Sequence, residues 1–196
     1  MEDDVKVKSV CMNSEAINRS LKRMAHEVLE KNGSAENLVI VGIVTRGDVL
    51  AKRLVDEIES IEGVKVPLGR LDISFYRDDY ATYLAPVLHA TEIPCNIDGR
   101  DVVLVDDILY TGRTIRAALD ALRDYGRPQT VQLAVLVDRG HRQLPIRADY
   151  VGKNIPSAKD ETVRAYLEEI DGINQVQIQE VGTGSRIGSA PVGGEE

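Results

Sequence analysis

Two adjacent acids at the end of an apolar run are the residues of this sequence best placed to do chemistry. Asp106 and Asp107 directly follow Val102-Val103-Leu104-Val105. The apolar run predicts a strand inside the core, and both carboxylates are then expected at its carboxyl end. Burying ionised carboxylates without partners is costly, so this pair requires water or a polar or cationic ligand.

The segment that follows the acids has the residue types of an anion-binding loop. In Thr111-Gly112-Arg113-Thr114, the glycine permits positive φ and a close backbone approach, and two hydroxyls supply donors. A helix that begins here would point its free amides at an anion. The alternative is an ordinary strand–turn–helix connection with solvated acids and Thr114 as a helix cap. The length of the combined pattern, 102–114, favours a site that accepts sugar hydroxyls beside a phosphate.

The elements needed to position these residues follow from hydrophobic periodicity. The pattern predicts an edge strand within 1–12, a helix that Ser14 caps and that ends at Asn32-Gly33, strands at 38–44, 66–75, 102–105 and 131–137, helices at 48–60 and 114–125, and a hairpin of 163–167 with 176–178. Strands that alternate with helices predict an α/β fold with a mainly parallel sheet flanked by helices. Ligands bind at the carboxyl ends of such strands, which makes 45–48, 106–113 and 138–147 the places to search.

Composition limits the classes of function. The chain has 196 residues and a net charge of −8, which fits one domain over 1–181 and disfavours a uniformly basic nucleic-acid binder. Residues 182–196 are rich in Gly, Ser and Pro and are expected to be disordered. The two cysteines, Cys11 and Cys95, match no metal-ligand spacing, so we expect reduced thiols and no resident metal. No apolar run predicts a membrane span or a secretory signal, so a cytoplasmic protein is expected.

The string VVLVDDILYTGRT, 102–114, resembles the phosphoribosyl-diphosphate signature of type I phosphoribosyltransferases. The resemblance implies that fold, with ribose 2′- and 3′-hydroxyls on Asp106 and Asp107. It also implies binding of the 5′-phosphate by the loop Tyr110, Thr111, Gly112, Arg113 and Thr114. The short diphosphate loop of that family is matched by Thr45-Arg46-Gly47, which directly follows the predicted strand 38–44.

The run 136–156 closely resembles the PyrR family of pyrimidine-operon attenuation regulators, which are also uracil phosphoribosyltransferases. This resemblance covers about residues 5–181. It implies that UMP and diphosphate form from uracil and 5-phosphoribosyl diphosphate, with Mg²⁺ carried mainly by the substrate's diphosphate. Catalytic roles are implied for Asp106, Asp107, Arg46 and Arg77, the last on a long loop that would close over the diphosphate. An ordinary solvated loop is the alternative for Arg77. Base binding is implied for Lys153, Asn154 and Ile155, with backbone groups that read the edge of uracil and an apolar surface from Ile155.

A basic stripe on the first predicted helix suggests a second function. Its members are Arg19, Lys22, Arg23 and His26, with Lys31 at the helix end, and a second basic cluster is formed by His141, Arg142 and Arg147. In the regulators that this chain resembles, equivalent surfaces bind a hairpin in messenger RNA. The alternative is a solvated helix face.

Three functions therefore remain open at the level of sequence. The first is a uracil phosphoribosyltransferase that also binds RNA. The second is an RNA-binding attenuation regulator whose pocket senses nucleotide with little catalysis. The third is a purine-specific transferase. A homo-oligomer, dimer or tetramer, is expected because small transferases of this type usually pair.

Overall fold

The computed structural model describes residues 6–76 and 90–180. Arg77, on the long loop, and the tail 182–196 lie outside the described residues. The helices and strands are β1 (Lys6–Asn13), α1 (Ser14–Asn32), β2 (Leu38–Ile43), α2 (Arg46–Glu62), β3 (Leu68–Leu71), β4 (Asp101–Leu109), α3 (Arg113–Leu122), β5 (Thr130–Asp138), β6 (Tyr150–Asn154), β7 (Glu161–Tyr166), α4 (Glu168–Asp171) and β8 (Gln175–Glu180).

A five-stranded parallel sheet forms the centre of the fold, in the order β3-β2-β4-β5-β6. Its inner strands are apolar because helices cover both faces. Alternate residues of β4 point to opposite faces: Val103 packs in one cluster with α1 and α2, and Leu104 packs in the other with α3. The predicted α/β fold, a mainly parallel sheet between helices, is confirmed.

A second sheet, antiparallel and three-stranded, has the order β1-β8-β7. The predicted C-terminal hairpin is present as β7 and β8, with the short helix α4 between them, and β1 is an edge strand as predicted. Val163, Ala165 and Val176 join the hydrophobic cluster that contains α1 and α2. The second sheet is therefore attached to the α1–α2 side of the main sheet.

The structure corrects the predicted bounds of the central strand. Asp106 and Asp107 were predicted to begin a loop, but β4 continues to Leu109. The extension pairs with β5, since Asp106 lies opposite Val135 and Ile108 opposite Val137. The acids therefore lie on rigid strand backbone, and the loop begins at Tyr110.

Smaller corrections concern the ends of elements. Asn13, not Ser14, caps α1: its side chain accepts a hydrogen bond from the amide of Ala16 at 2.9 Å. The predicted strand 66–75 is β3 followed by a 3-10 turn at Ser74–Tyr76, and the predicted helix 114–125 ends in a 3-10 turn at Arg123–Tyr125. Strand β6 was not predicted. None of the helices in 6–76 and 90–180 is long and apolar enough to cross a membrane.

Candidate active site

The carboxyl ends of β2 and β4 meet at a cleft that contains residues of two of the three predicted stretches, 45–48 and 106–113. The cleft has a volume of about 230 Å³ and is lined by Ile43, Val44, Thr45, Arg46, Ile73, Asp106, Asp107, Ile108 and Thr114. The predicted diphosphate loop, the acid pair and the start of α3 thus share one space. This is the edge of a parallel sheet at which ligands are expected.

Gly47 explains how the diphosphate loop comes so close to the acids. It lies in the first turn of α2, and a Cβ added there would be 2.4 Å from the carbonyl oxygen of Val105. Real Cβ atoms do not approach a backbone oxygen so closely, so any larger residue would push α2 away from β4. Gly47 is buried, and its contribution to the site is this close approach.

The two carboxylates are held by backbone amides. The amide of Asp107 donates to Asp106 Oδ1 at 2.9 Å, and the amide of Ile108 donates to Asp107 Oδ1 at 2.8 Å. Asp106 is only 6% exposed. Burial raises the pKa of Asp107, although the Ile108 amide and the nearby Arg46 guanidinium act in the opposite direction. A ligand that donates hydrogen bonds or brings positive charge would relieve this penalty.

Arg46 lies between these acids and the second sheet. Its Nη2 donates to Asp171 Oδ1 at 2.7 Å. Its Nε is buried and is the only such side-chain nitrogen or oxygen in 6–76 and 90–180 without a hydrogen-bond partner. A buried donor without a partner is rare in folded proteins and is a feature of sites that bind a ligand or water.

The loop between β4 and α3 forms a second cleft of about 300 Å³, lined by residues 108–115. Gly112 has φ of 93°, as its predicted role requires, and α3 begins at the next residue. The carbonyl of Thr111 accepts hydrogen bonds from the amides of Gln143 and Leu144 at 3.0 and 3.2 Å. Arg113 Nε donates to Gln143 Oε1 at 3.0 Å. The loop is therefore held in shape by the segment after β5, and α3 begins at this cleft.

Beside this loop, Tyr110 packs against two side chains of the segment after β5. The Arg139 guanidinium lies 4.2 Å from the centre of its ring, and the His141 ring meets it edge-on at 6.1 Å. Arg139 is 6% exposed and donates to Ser157 Oγ and the carbonyls of Ala158 and Glu161. These contacts join the end of β4 to the segment after β6.

A third cleft of about 680 Å³ lies at the carboxyl ends of β5 and β6. It is lined by Asp138, Arg139, Gly140, His141, Arg142, Ile146, Arg147, Asn154, Ile155, Pro156 and Ser157. Of the three predicted base-binding residues, Asn154 and Ile155 line this cleft. Lys153 does not, because its Nζ donates to the carbonyl of Cys11 on β1 at 2.8 Å. Side chains alternate along a strand, so Lys153 and Asn154 point to opposite faces.

Sequence reasoning missed Asp138 and Arg139 as parts of this cleft. Asp138 forms an ion pair with Arg142. Burial works to raise the pKa of Asp138, but the Arg142 guanidinium and the Gly140 amide lower it overall. Its position at the carboxyl end of a buried strand was the available signal, and 138–147 was one of the stretches to search. No motif marked this residue individually.

The residues of the predicted basic stripe on α1 are exposed, and they differ in the hydrogen bonds and ion pairs that they make. Lys22 and His26 make no hydrogen bond or ion pair with described residues. Arg19 pairs with Glu15 at 3.0 Å, and Lys31 pairs with Asp149 at 2.5 Å. Arg23 pairs with Glu27 and also donates to the carbonyls of Val151 and Gly152 on β6.

Two residues of the second predicted basic cluster, His141 and Arg142, make hydrogen bonds within the protein. Arg142 pairs with Asp138 and donates to the carbonyls of Leu109, Tyr110, Gly140 and Ile146. One ring nitrogen of His141 lies 2.6 Å from the carbonyl of Ser157. Arg147 is exposed. Arg142 therefore stabilises the loop after β5, and Arg147 is the more accessible of the two arginines.

The chain is similar in sequence and in fold to known proteins. The chain matches the phosphoribosyl transferase domain family over residues 12–169. It is 57% identical over 175 residues to the bifunctional protein PyrR of Brevibacillus brevis, covering 89% of this chain and 98% of that protein. It is 53% identical over 172 residues to the bifunctional protein PyrR of Halalkalibacterium halodurans, covering 86% and 96%. A solved hypoxanthine phosphoribosyltransferase of Staphylococcus aureus has the same fold, with a TM-score of 0.67 at 24% identity over 87% of this chain and 90% of that one.

Proposed function

Because this chain belongs to the phosphoribosyl transferase domain family and, within it, to the PyrR proteins, we propose that it forms UMP and diphosphate from uracil and 5-phosphoribosyl diphosphate. Phosphoribosyl transfer follows from the family, and uracil as the acceptor is the proposal. As a second function, we propose that the protein binds a messenger-RNA hairpin and that UMP strengthens this binding.

The observation that carries the proposed reaction is the meeting of Arg46, Asp106, Asp107 and Thr114 around one cleft beside the 108–115 loop. A phosphoribosyl diphosphate presents a phosphate, two vicinal hydroxyls and a diphosphate in that order. The loop amides, the paired acids and Arg46 supply matching groups in the same order. Strand–loop–helix geometry therefore complements each charged or polar part of the substrate.

The chemistry assigned to these residues is mainly electrostatic. Displacement of diphosphate from ribose C1 develops positive charge on the sugar, as in glycoside hydrolysis. Asp106 and Asp107 would accept hydrogen bonds from the ribose hydroxyls and favour the charge on the ring. Arg46 would stabilise the departing diphosphate. Arg77 lies outside the described residues and stays a proposed contributor that would close over the diphosphate.

Mg²⁺ belongs to this proposal as part of the substrate. In 6–76 and 90–180, no group of three or more His, Cys, Asp or Glu side chains is arranged to hold a metal. The chemistry of the site fits an ion coordinated mainly by diphosphate oxygens and water, with Asp106 and Asp107 as the nearest carboxylates. The bound ion would supply charge neutralisation of the leaving group.

The base is assigned to the third cleft. Asn154 presents an amide that can both donate to and accept from the edge of a pyrimidine, and the buried Ile155 supplies an apolar surface. Lys153 would contribute through its backbone groups, because its ammonium is bound to β1. The purine-specific alternative gains no support from the solved hypoxanthine enzymes, since a likeness at 24% identity carries the fold alone.

Conversion of radiolabelled uracil to UMP, with phosphoribosyl diphosphate and MgCl₂, tests the proposed reaction. Uracil should be converted, and hypoxanthine, guanine and adenine should neither compete nor yield nucleotide. Conversion of a purine would establish the purine-specific alternative. If the folded protein converts no base, the remaining function is that of an RNA-binding regulator whose pocket senses nucleotide.

The RNA proposal is supported by exposed basic residues on α1, of which Lys22 and His26 make no hydrogen bond or ion pair with described residues. Filter binding should compare hairpins transcribed from leaders of pyrimidine biosynthesis genes with scrambled hairpins of equal length. We expect UMP to strengthen binding of the leader hairpin and added salt to weaken it. Equal binding of the scrambled hairpin, or no effect of UMP, would contradict the proposal.

A further inference from the structure

Asp171 connects the second sheet to the candidate active site. It is the last residue of α4, the short helix between β7 and β8. Its Oδ1 accepts a hydrogen bond from Arg46 Nη2 at 2.7 Å, and its Oδ2 accepts one from the amide of Leu167 at 2.9 Å. The carboxylate is thus fixed from two sides, on the backbone of α4 and on the side chain of Arg46.

The ion pair with Asp171 determines where the Arg46 guanidinium lies. The two side chains are 21% and 16% exposed, so water screens their attraction little. Within the described residues this is the only hydrogen bond that the Arg46 side chain makes, and its Nε is left buried without a partner. The hydrogen bond to Asp171 restricts the rotamers of the long Arg46 side chain. The other N–H groups of the guanidinium can then donate to a ligand.

We propose that Asp171 is a positioning residue for phosphoribosyl transfer: it holds the Arg46 guanidinium at the cleft so that the remaining donors meet the substrate's diphosphate. This inference rests on the proposed function, because it requires the cleft at Arg46 to be the diphosphate site. Asp171 itself does not line the cleft and would act through Arg46. The antiparallel sheet would thereby contribute to diphosphate binding from outside the pocket.

The same pair of helices offers a matched control. Glu169, also on α4, accepts hydrogen bonds from Arg53 Nε and Nη2 of α2 at 2.9 and 2.5 Å. Arg53 is not among the residues that line the cleft. Glu169→Gln therefore removes an ion pair between α2 and α4 and changes the net charge as Asp171→Asn does, without touching Arg46.

Titration calorimetry of the full chain with Mg²⁺-phosphoribosyl diphosphate and, separately, with UMP tests the inference. UMP lacks the diphosphate and serves as the probe of the rest of the pocket. Asp171→Asn should bind phosphoribosyl diphosphate about tenfold more weakly, equivalent to about 1.4 kcal/mol, and UMP as the wild type does. Glu169→Gln should bind both ligands as the wild type does.

Three outcomes would overturn the inference: unchanged phosphoribosyl diphosphate binding by Asp171→Asn, equal weakening of both ligands, or the same loss in Glu169→Gln. In an Arg46→Gln background, Asp171→Asn should cause no further loss, and a full tenfold loss there would also contradict it. If Asp171→Asn does not fold, Asp171→Glu keeps the charge, displaces it by one methylene, and should give the same split between ligands. A wild type that binds neither ligand would instead refute the proposed function.

Discussion

Two carboxylates, Asp107 and Asp171, lie near Arg46, and their pKa values are shifted in opposite directions. Asp171 accepts a backbone amide and the Arg46 guanidinium, and although burial alone would raise its pKa, these donors lower the pKa overall. Asp107 accepts the Ile108 amide but forms no ion pair with described residues, and burial raises its pKa. The ionised form of Asp171 is therefore stabilised by the folded protein, whereas the ionised form of Asp107 is destabilised by burial.

The difference separates a structural ion pair from a ligand site. A protein selected for stability alone would give Asp107 a cation, or replace it. Residues that weaken local stability without an internal compensation are concentrated at functional sites. The contrast therefore supports Asp107 as an acid whose partner comes from the substrate.

The largest expected effect is the loss of turnover when the acid pair is neutralised. Asp106→Asn/Asp107→Asn should reduce UMP formation about 100-fold or more, because the carboxamides cannot stabilise positive charge on the sugar. Steady-state assays at saturating uracil measure this. Asp101→Asn, at the opposite end of β4, is the control and should retain turnover. A double variant with nearly wild-type turnover would end the claim that these acids hold the ribose.

The second effect tests whether close packing of α2 on β4 keeps Arg46 between the two acids. Gly47→Ala should lose about 1–3 kcal/mol of unfolding free energy and most affinity for phosphoribosyl diphosphate, because its Cβ would clash with the Val105 carbonyl. Urea unfolding and calorimetry measure both quantities. Gly63→Ala, at the other end of α2, meets no atom within 4 Å and should cost about 1 kcal/mol, with affinity unchanged. Retained affinity in Gly47→Ala would show that this approach is unimportant.

The third effect is an opposite pH dependence of stability for the two acids. The folded-state pKa of Asp107 is raised, so the wild type loses stability as pH rises above the ordinary value of 3.8 toward that pKa. Asp107→Asn should therefore gain stability relative to the wild type as pH rises above 3.8, because the variant has no carboxyl group to ionise in the buried site.

Asp171→Asn should show the reverse. The folded-state pKa of Asp171 is lowered, so its stabilising contribution is complete above 3.8 and disappears as pH falls through the folded-state pKa. The variant should be less stable than the wild type at pH 7, and the deficit should shrink in acid. Urea unfolding from pH 3 to pH 7 measures both variants. Parallel pH profiles would remove the contrast between the two acids.

The smallest effect concerns the basic stripe. Lys22→Gln should reduce the slope of log affinity against log salt for the leader hairpin by about one, because one phosphate contact is lost. Lys65→Gln, an exposed lysine that pairs with Glu59, is the control and should leave the slope unchanged. A slope unaffected by Lys22→Gln would remove this residue from the proposed RNA surface.

The two acids also differ in how far their surroundings could be predicted from the sequence. The acids, the Gly112 turn and Thr45-Arg46-Gly47 were visible because they follow apolar strands in short local patterns. The ion pair of Arg46 with Asp171 joins residues 125 positions apart and leaves no local signal. The extension of β4 to Leu109 likewise depends on pairing with β5, and β6 was missed because YVGKN contains polar residues and a glycine.

Orientation of side chains was the other limit. Lys153 and Asn154 were predicted together as base-binding residues, yet only Asn154 faces the third cleft. Arg142 was grouped with exposed cations, but five contacts bind it to the loop. Sequence gives the charge of such residues, whereas their direction depends on strand register and on carbonyls distant in the chain.

The most direct test of the central claim is an experimental structure of the protein with UMP bound. The ribose 2′- and 3′-hydroxyls should lie within hydrogen-bond distance of Asp106 and Asp107, and the 5′-phosphate should be bound by the amides of Thr111 to Thr114. The Arg46–Asp171 ion pair should also be intact, because Asp171 holds the guanidinium whether or not a diphosphate is bound. A nucleotide bound elsewhere, or bound here with its ribose away from both acids, would contradict the account.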